Sequence, residues 1–600
     1  MISAQSIQKK YKIYLFIILL LAFLLRIYGI SWDDGWHLHP DERMLILVAE
    51  RIDFSVAPNT NFLSPYNNKP LPAQLAELLQ PLNPNFFNYG SLPIYLLKGT
   101  SDLVSLFSRM PDADYNNMLG IGRTLSAFFD VVTVLFIYKI SRKLFKKESI
   151  SLLASFLYAF SFFPIQNAHF YIVDPILTMF ITITLYLLIR YVERPSLSKI
   201  VGISLFAAGA ITTKFTGVLV LPIIVGVILI ASLRKWSSWI PACAGMTAHL
   251  FLFTFSFLLF TFLFMPFGFL NYTQFIKEIS LQLQMNSDPF IFPYTLQYVG
   301  ATSYWYYLKN IFLWGLGPVV STLAIFGLLL YVKQIYHGIR TKMKDFGFKI
   351  LDLRFYLFLI PASFFLIHFL IIGRSAVKFM RYMLPLYPYL AILASYGVYK
   401  ILHTSYFIHH TSTRKLLASL VLVIITIWTL TFMSIYSHPH TRIEASEWIY
   451  ENIPAGSTIA VEHWDDQLPL PLPNNNLPLL HSTYQFETLE LYNPDTPEKW
   501  MKINEQLNRT DYIVIASNRL YVPLKKMTDC NTLPEYRCYP ETADYYQRLF
   551  NEEESFHKIA EFTSYPSLEI GNWKLEIRDE GADESFTVYD HPKVMIFKKE

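Results

Sequence analysis

Carboxylate and basic side chains beside apolar segments are the residues of this sequence best suited to chemistry. The stretch Ser31–Arg43, SWDDGWHLHPDER, carries four carboxylates and follows an apolar run almost without a break. Asp174 lies inside a second apolar stretch, HFYIVDPILTMF. Ionisable groups at or within a membrane are costly, so by default they face the protein interior or a wet cavity and mark a functional path. Basic groups also border the apolar segments: Arg123, Lys214, Arg374, Lys378 and Arg381.

This combination suits the transfer of a group from a phosphate-bearing lipid. A carboxylate can accept the proton of an acceptor hydroxyl while that hydroxyl attacks the anomeric carbon of a lipid-linked sugar. The lipid phosphate then leaves with negative charge, which arginine or lysine can stabilise. We predict Asp41 as the general base. The basic groups predicted near the phosphate are Arg123, Lys214, Lys378 and Arg381.

The first part of Ser31–Arg43 has simpler explanations. Asp33 and Asp34 are expected to be solvated residues at a helix end, because exposed acids are common. Trp32 and Trp36 are expected to be interfacial anchors where the first helix leaves the bilayer. These four residues are therefore not predicted site residues.

The second part of the stretch keeps two interpretations open. Asp41 and Glu42 follow a proline, so they could be ordinary first-turn acids of a surface helix, favoured by the helix dipole. Arg123 could merely extend its charge toward the membrane surface. His37 and His39 are too weak a pattern to be metal ligands on their own.

Composition places these residues in a membrane protein. The chain has 600 residues, of which 53% are hydrophobic, and its mean hydropathy is +0.31, which indicates a polytopic membrane protein. The small net charge of +4 does not indicate a nucleic-acid-binding surface. Three cysteines occur without zinc-binding spacing, so no metal site is predicted. Cys530 and Cys538 could form a disulfide outside the cytoplasm or remain free thiols.

A span needs roughly 20 apolar residues, and about eleven segments meet this need. They are residues 12–30, 121–141, 149–166, 170–190, 198–213, 215–232, 247–270, 310–332, 355–372, 383–401 and 415–435. Residues 91–107 are apolar enough to be counted as another span, but counting them would reverse the positive-inside arrangement of the later loops. We therefore predict an amphipathic helix on the outer surface there.

This count orients the chain. The N-terminus is predicted inside, and an odd number of spans places the residues after 436 outside the cytoplasm. We predict a transmembrane module over 1–436, whose first extracytoplasmic loop, 31–120, carries surface helices. The tail, 437–600, alternates helix-like and strand-like segments and is predicted to form an extracytoplasmic α/β or α+β domain. Its EHWDDQLP segment, residues 462–469, is expected to be structural rather than catalytic.

Several segments resemble one family of membrane enzymes. They are HPDER after the first span, IGRTLSAFFDVVTVLFIYKISRKLF, AHFYIVDPILTMF, AAGAITTKFTGVLVLPI and VKFMRYMLPLYPYL. Over roughly residues 10–435 the chain is similar to the GT-C glycosyltransferases, especially the branch with protein O-mannosyltransferases and the aminoarabinose transferases of lipid A. The most specific parts are the Asp-Glu pair of the first loop and the Lys-Phe-x-Arg-Tyr segment.

The resemblance implies a mainly α polytopic GT-C fold and roles for particular residues. Asp41 matches the catalytic base, and Glu42, beside it, and Asp174, the second outer acid, complete the predicted catalytic set. The predicted substrate-binding residues are His39, Arg43, Arg123, Lys214, Lys378, Arg381 and Tyr382. The family uses polyprenyl- or dolichyl-phosphate sugars, inverts the anomeric centre and needs no catalytic metal. The expected localisation is the plasma (inner) membrane, with the active site extracytoplasmic and no cofactor other than the donor substrate.

The acceptor and two competing functions stay open. The tail departs from the mannosyltransferases, so the acceptor could be a protein, a lipid or a glycan. A flippase or transporter would carry acids, prolines and glycines at mid-membrane positions in two corresponding halves, whereas these charges cluster at one face. A surface-polysaccharide polymerase or ligase with a diphosphate-linked donor would need similar basic groups.

Overall fold

The computed structural model of the protein describes residues 4–54, 71–108, 114–235, 239–344, 353–404, 411–472, 484–553 and 555–600. The first half of the helices is α1 Ala4–Ile27, α2 Pro40–Glu50, α3 Leu71–Leu78, α4 Leu92–Ser108, α5 Tyr115–Phe145, α6 Glu148–Ala159, α7 Phe162–Ala168, α8 Val173–Glu193, α9 Leu197–Thr213, α10 Leu221–Lys235, α11 Trp239–Phe264 and α12 Phe267–Leu270. The second half is α13 Tyr272–Ser287, α14 Trp305–Asn310, α15 Gly317–Lys344, α16 Leu353–Ile372, α17 Tyr387–Thr404, α18 Thr411–Met433, α19 Thr441–Asn452, α20 Pro497–Arg509, α21 Tyr521–Leu524, α22 Pro540–Phe550 and α23 Glu584–Thr587.

Helices coincide with every apolar segment identified in the sequence. By length and hydropathy, five helices of the described chain could cross a membrane, or six if α6 and α7, bent by 58°, form one span. Others, such as α9, are apolar but shorter. The protein is therefore a polytopic membrane protein, as expected from the sequence. Among the described residues this criterion identifies five or six spans, whereas the sequence predicted about eleven.

A helix, α4, covers residues 92–107 of the segment 91–107 for which a surface helix was predicted. It packs Leu92, Ile94 and Leu97 into the protein, whereas Leu106 and Phe107 at its far end are 74% and 82% exposed. α4 does not meet the length criterion for a span. It contacts α2 and α5, so it joins the loop after α1 to the helical bundle.

The C-terminal region contains a mixed five-stranded sheet in the order β2-β1-β3-β7-β4. The strands are β1 Thr458–Glu462, β2 Gln485–Leu489, β3 Tyr512–Ile515, β4 Phe556–Phe562 and β7 Val594–Lys599, and a separate hairpin pairs β5 Ser567–Ile570 with β6 Trp573–Glu576. β1 is parallel to β2 and β3, whereas β7 is antiparallel to β3 and β4. This arrangement agrees with the predicted α/β or α+β character. Cys530 and Cys538 are joined by a disulfide, which resolves the alternative left open by the sequence.

The C-terminal region is packed directly against the helical bundle. The ring of Phe586 lies 6.2 Å from that of Phe163 in α7 and 5.8 Å from that of Phe432 in α18. Asp590 accepts hydrogen bonds from Gln166 at 3.0 Å and from Tyr436 at 2.8 Å. Apolar packing and buried hydrogen bonds therefore hold the C-terminal region against α7 and the end of α18.

Candidate functional site

The helix α2 positions the acids of the HPDER segment. His39 is its N-cap residue and Pro40 opens its first turn. Proline is tolerated there because the backbone N–H that it lacks would have no partner within the helix. The His39 ring also lies 4.0 Å from the ring of Tyr589 in the C-terminal region. Burial lowers the pKa of His39 to about 3, so the ring is neutral. His39 is thus a capping and packing residue of α2, and its predicted substrate contact stays a prediction.

Arg123 of α5 is fixed by two carboxylates of the same loop. Its Nε and Nη2 bind Glu42 at 3.0 and 2.8 Å, and Nη1 and Nη2 bind Asp33 at 2.9 and 2.8 Å. Nη1 also donates to Ile30 O at 2.8 Å, so every N–H donor of the guanidinium is used. Glu42 accepts a further bond from the backbone N–H of Tyr171 at 2.7 Å. These contacts leave Arg123 and Glu42 no free donor or oxygen for a substrate.

This geometry corrects two expectations from the sequence. Asp33, expected to be solvated, is fully buried, because Arg123 offers it a paired position inside the protein. Trp32, expected to be an interfacial anchor, is 7% exposed and stacks on the Arg123 guanidinium, 4.8 Å from it. The geometry also does not support the predicted contact of Arg123 with a phosphate, or a catalytic role for Glu42. Asp34 is exposed, as expected.

A second cluster, which we call the Asp41 cluster, contains Asp41, Asp174, Lys214 and Arg381. Arg381 Nη1 lies 2.5 Å from Asp41 Oδ2, and Arg381 Nε lies 3.9 Å from Asp174 Oδ2. Lys214 Nζ donates to Asp174 Oδ1 at 2.7 Å. The four residues come from α2, the first turn of α8, the end of α9 and the 3-10 helix Met380–Leu386. The fold therefore joins, in one charge-balanced group, four residues that the sequence analysis selected separately.

The two carboxylates of the Asp41 cluster differ in access. The side chain of Asp41 is 26% exposed, whereas that of Asp174 is 2% exposed. Burial raises the pKa of Asp41, but the nearby positive groups, Arg381 foremost among them, together outweigh burial and hold that pKa below its usual value. Asp41 is thus an ionised and reachable carboxylate, and Asp174 is a buried counter-ion for Lys214.

Tyrosines surround the Asp41 cluster. The ring of Tyr382 lies 4.4 Å from Lys214 Nζ, so the predicted substrate-binding tyrosine is part of the group. Burial raises the pKa of Tyr89 well above its usual value, and the nearby Asp41 charge adds to this effect. The sequence analysis missed Tyr89. Its position between Asn88 and Gly90, in a loop with no distinctive charge pattern, gave no signal.

Two predicted basic residues have other partners. Arg43 Nη2 lies 3.4 Å from Asp466 Oδ1, so it joins α2 to the C-terminal region. Lys378 Nζ donates to Ala376 O at 2.9 Å, and the side chain forms no ion pair within the described ranges. Lys378 is buried. Both assignments to the phosphate remain predictions.

The EHWDDQLP segment is held by an arginine. Arg442 of α19 binds Asp465 at 2.8 Å and Asp466 at 2.6 Å while its side chain is 1% exposed. This agrees with a structural role for the segment. Over the described ranges, no group of three or more His, Cys, Asp or Glu residues is arranged to hold a metal ion.

The comparison with family models finds one match within the helical bundle. Residues 116–259 match the family model described as dolichyl-phosphate-mannose-protein mannosyltransferase. The matched residues include Arg123, Asp174 and Lys214. Over these residues the match agrees with the resemblance drawn from the sequence. The comparison with curated proteins gives no match.

Three solved structures are among those to which the chain is similar. Archaeal oligosaccharyltransferase AglB from Archaeoglobus fulgidus, with an inhibitory peptide and a dolichol-phosphate, has a TM-score of 0.49 at 11% identity over 99% of this chain and 88% of its own. ArnT from Cupriavidus metallidurans, bound to undecaprenyl phosphate, has 0.41 at 12% over 89% and 96%. The S. cerevisiae Pmt1-Pmt2 complex, bound to its sugar donor, has 0.31 at 14% over 44% and 34%.

Proposed function

We propose that this protein is a GT-C glycosyltransferase that moves a hexose from a polyprenyl-phosphate-linked donor to a protein, lipid or glycan acceptor on the extracytoplasmic face of the plasma membrane. The observation that carries the proposal is the Asp41 cluster, in which a reachable carboxylate lies beside a buried guanidinium and a buried ammonium. We further propose that residues 1–436 form the catalytic module and residues 437–600 an extracytoplasmic domain over it.

The proposed reaction is a single displacement with inversion. Asp41 accepts the proton of the acceptor hydroxyl as its oxygen forms a bond to the anomeric carbon. The bond between that carbon and the phosphate oxygen breaks, and the electron pair leaves with the phosphate. Arg381 and Lys214 stabilise the resulting negative charge, because charge-assisted hydrogen bonds are strong in a water-poor site. Asp174 acts as a positioning residue for Lys214.

The balance of charge supports this division of roles. Two carboxylates and two cations make the Asp41 cluster neutral before a substrate enters. An isolated buried cation would be costly, and pairing with a carboxylate lowers that cost until an anionic ligand takes its place. A guanidinium can bind a phosphate, as it can a carboxylate, with two parallel hydrogen bonds.

The decisive experiment supplies purified protein with a panel of polyprenyl-phosphate sugars and measures donor consumption. We expect one donor class to be consumed by the wild type, and Asp41→Asn to lower turnover by about 10²–10⁴-fold, the usual contribution of a general base. Asp34→Asn is the matched control, because Asp34 is an exposed acid of the same loop and should retain normal turnover. Near-normal turnover in Asp41→Asn would overturn the assignment. Mass spectrometry of the released lipid separates a monophosphate donor from the diphosphate of a polymerase or ligase.

A further inference from the structure

Arg381 lies against the residue that we propose as the base. Its Nη1 approaches Asp41 Oδ2 to 2.5 Å, and the Arg381 side chain is only 10% exposed. The contact lacks hydrogen-bond geometry. Among the described residues, Arg381 Nε and Nη1 and Asp41 Oδ2 have no hydrogen-bond partner. The pair is thus held by charge, while buried donors of the guanidinium remain unused.

Unused donors make the guanidinium better suited to a phosphate than to Asp41. A buried donor without a partner costs free energy that a correctly placed acceptor recovers. A phosphate offers several oxygens to the guanidinium fork, whereas the present contact satisfies neither Nε nor Nη1. Asp174 Oδ2 lies 3.9 Å from Arg381 Nε, beyond hydrogen-bond distance.

The same contact weakens Asp41 as a base. One carboxylate oxygen is covered by the guanidinium, and the positive charge lowers the proton affinity of the group. Burial acts in the opposite direction and raises the pKa of Asp41. If the guanidinium binds another anion, burial remains and Asp41 becomes a stronger and more accessible base.

We propose that Arg381 masks Asp41 in the free enzyme and that the phosphate of the donor unmasks it by drawing the guanidinium away. This inference rests on the proposed function. Proton abstraction from the acceptor then follows donor binding, so the anionic substrate itself turns on the base. Arg381 thereby has two partners in succession: the carboxylate of Asp41 and the phosphate of the donor.

The test compares two pH profiles of the wild-type protein. The acid limb of kcat/KM for the donor reports the base in the free enzyme, and that of kcat reports it in the donor complex. A neighbouring opposite charge lowers a pKa by about 1–3 units. We therefore expect the apparent pKa of the acid limb of kcat to exceed that of kcat/KM by about one unit or more. Equal apparent pKa values of the two acid limbs would overturn the proposal that Arg381 masks Asp41.

Variants separate the mask from the phosphate contact. In Arg381→Gln, both limbs should coincide, and the donor KM should rise at least about tenfold, as for a lost charged hydrogen bond. Arg381→Lys keeps a cation and should retain separated limbs, which guards against a glutamine variant that fails to fold. Arg374→Gln is the matched control, because Arg374 is exposed in the same loop and should preserve the wild-type profiles.

The two failures are distinguishable. A raised donor KM in Arg381→Gln together with coincident limbs in the wild type would overturn the mask and leave the phosphate site standing. An unchanged donor KM in Arg381→Gln would instead overturn the phosphate role of Arg381, and the mask with it.

Discussion

Arg123 and Glu42 form a two-pronged ion pair inside the protein, with Nε–Oε1 and Nη2–Oε2 distances of 3.0 and 2.8 Å. The pair links α5 to α2 through Glu42, the residue that directly follows the proposed base, Asp41. Asp33 closes the group from the other side. The position of Asp41 therefore depends on a buried charge group whose members are hydrogen-bonded to one another.

Removing the Arg123 guanidinium should destabilise the protein. Arg123→Ala would leave two buried carboxylates unpaired, and breaking a buried pair typically costs about 3–5 kcal/mol. We expect a large fall in Tm of the purified protein, and Arg123→Lys to rescue little of it, because lysine lacks the planar fork. Arg374→Gln, at an exposed position, is the control for effects of expression and purification on Tm. A normal Tm with a raised donor KM in Arg123→Ala would return Arg123 to the phosphate site.

Lys214 and Asp174 should act as a coupled pair on the donor. Lys214→Gln and Asp174→Asn should each lower kcat/KM for the donor, and the double variant should lose less than the product of the two effects. Residues in one salt bridge typically show coupling of about 0.5–3 kcal/mol. Lys98 and Asp102, an ion pair of 2.7 Å within α4, provide the control cycle and should leave donor kinetics unchanged. Fully additive effects at Lys214 and Asp174 would contradict a shared role.

Tyr89 should contribute through its hydroxyl group. Tyr89→Phe keeps the ring and removes the only hydrogen-bonding group of the side chain, so we expect a fall in kcat/KM of about fivefold, equivalent to about 1 kcal/mol. Tyr95→Phe is the matched control, because its hydroxyl donates to Leu82 O at 2.8 Å and serves the loop structure. Equal kinetics of Tyr89→Phe and wild type would remove Tyr89 from the site.

Glu462 should make the stability of the C-terminal region depend on pH. Burial raises the pKa of Glu462 from an ordinary 4.5 to about 8, and its Oε1 accepts a hydrogen bond from Tyr546. The unfolded chain loses this proton near its ordinary value and the folded protein near 8, so stability falls as pH rises from about 4.5 to 8.

The matched variant for this effect is Glu462→Gln, which keeps the shape and an acceptor for Tyr546. Between pH 5 and pH 8 the wild-type Tm should fall more than that of the variant, measured by thermal unfolding of the full-length protein. Parallel pH dependences of the two proteins would show that Glu462 does not titrate in this way.

The sequence by itself determined the class of protein and all four members of the Asp41 cluster. Long apolar segments require membrane helices because no water in the bilayer can satisfy exposed backbone groups. The cost of charge near a membrane selected Asp41, Asp174, Lys214 and Arg381, although they are far apart along the chain. The distribution of basic residues, through the positive-inside rule, excluded the α4 segment from the predicted spans.

Only the tertiary structure decided how these charges pair. Asp33, Glu42 and Arg123 look like Asp41 and Arg381 in the sequence, since all are charged residues near helix ends. Their partners come from distant segments, so hydrogen-bond saturation at Arg123 and unused donors at Arg381 appear only when the helices pack. Tyr89 enters the site for the same reason: its loop is placed by long-range contacts, such as the bond from Gly90 N–H to Thr213 O, which no local pattern encodes.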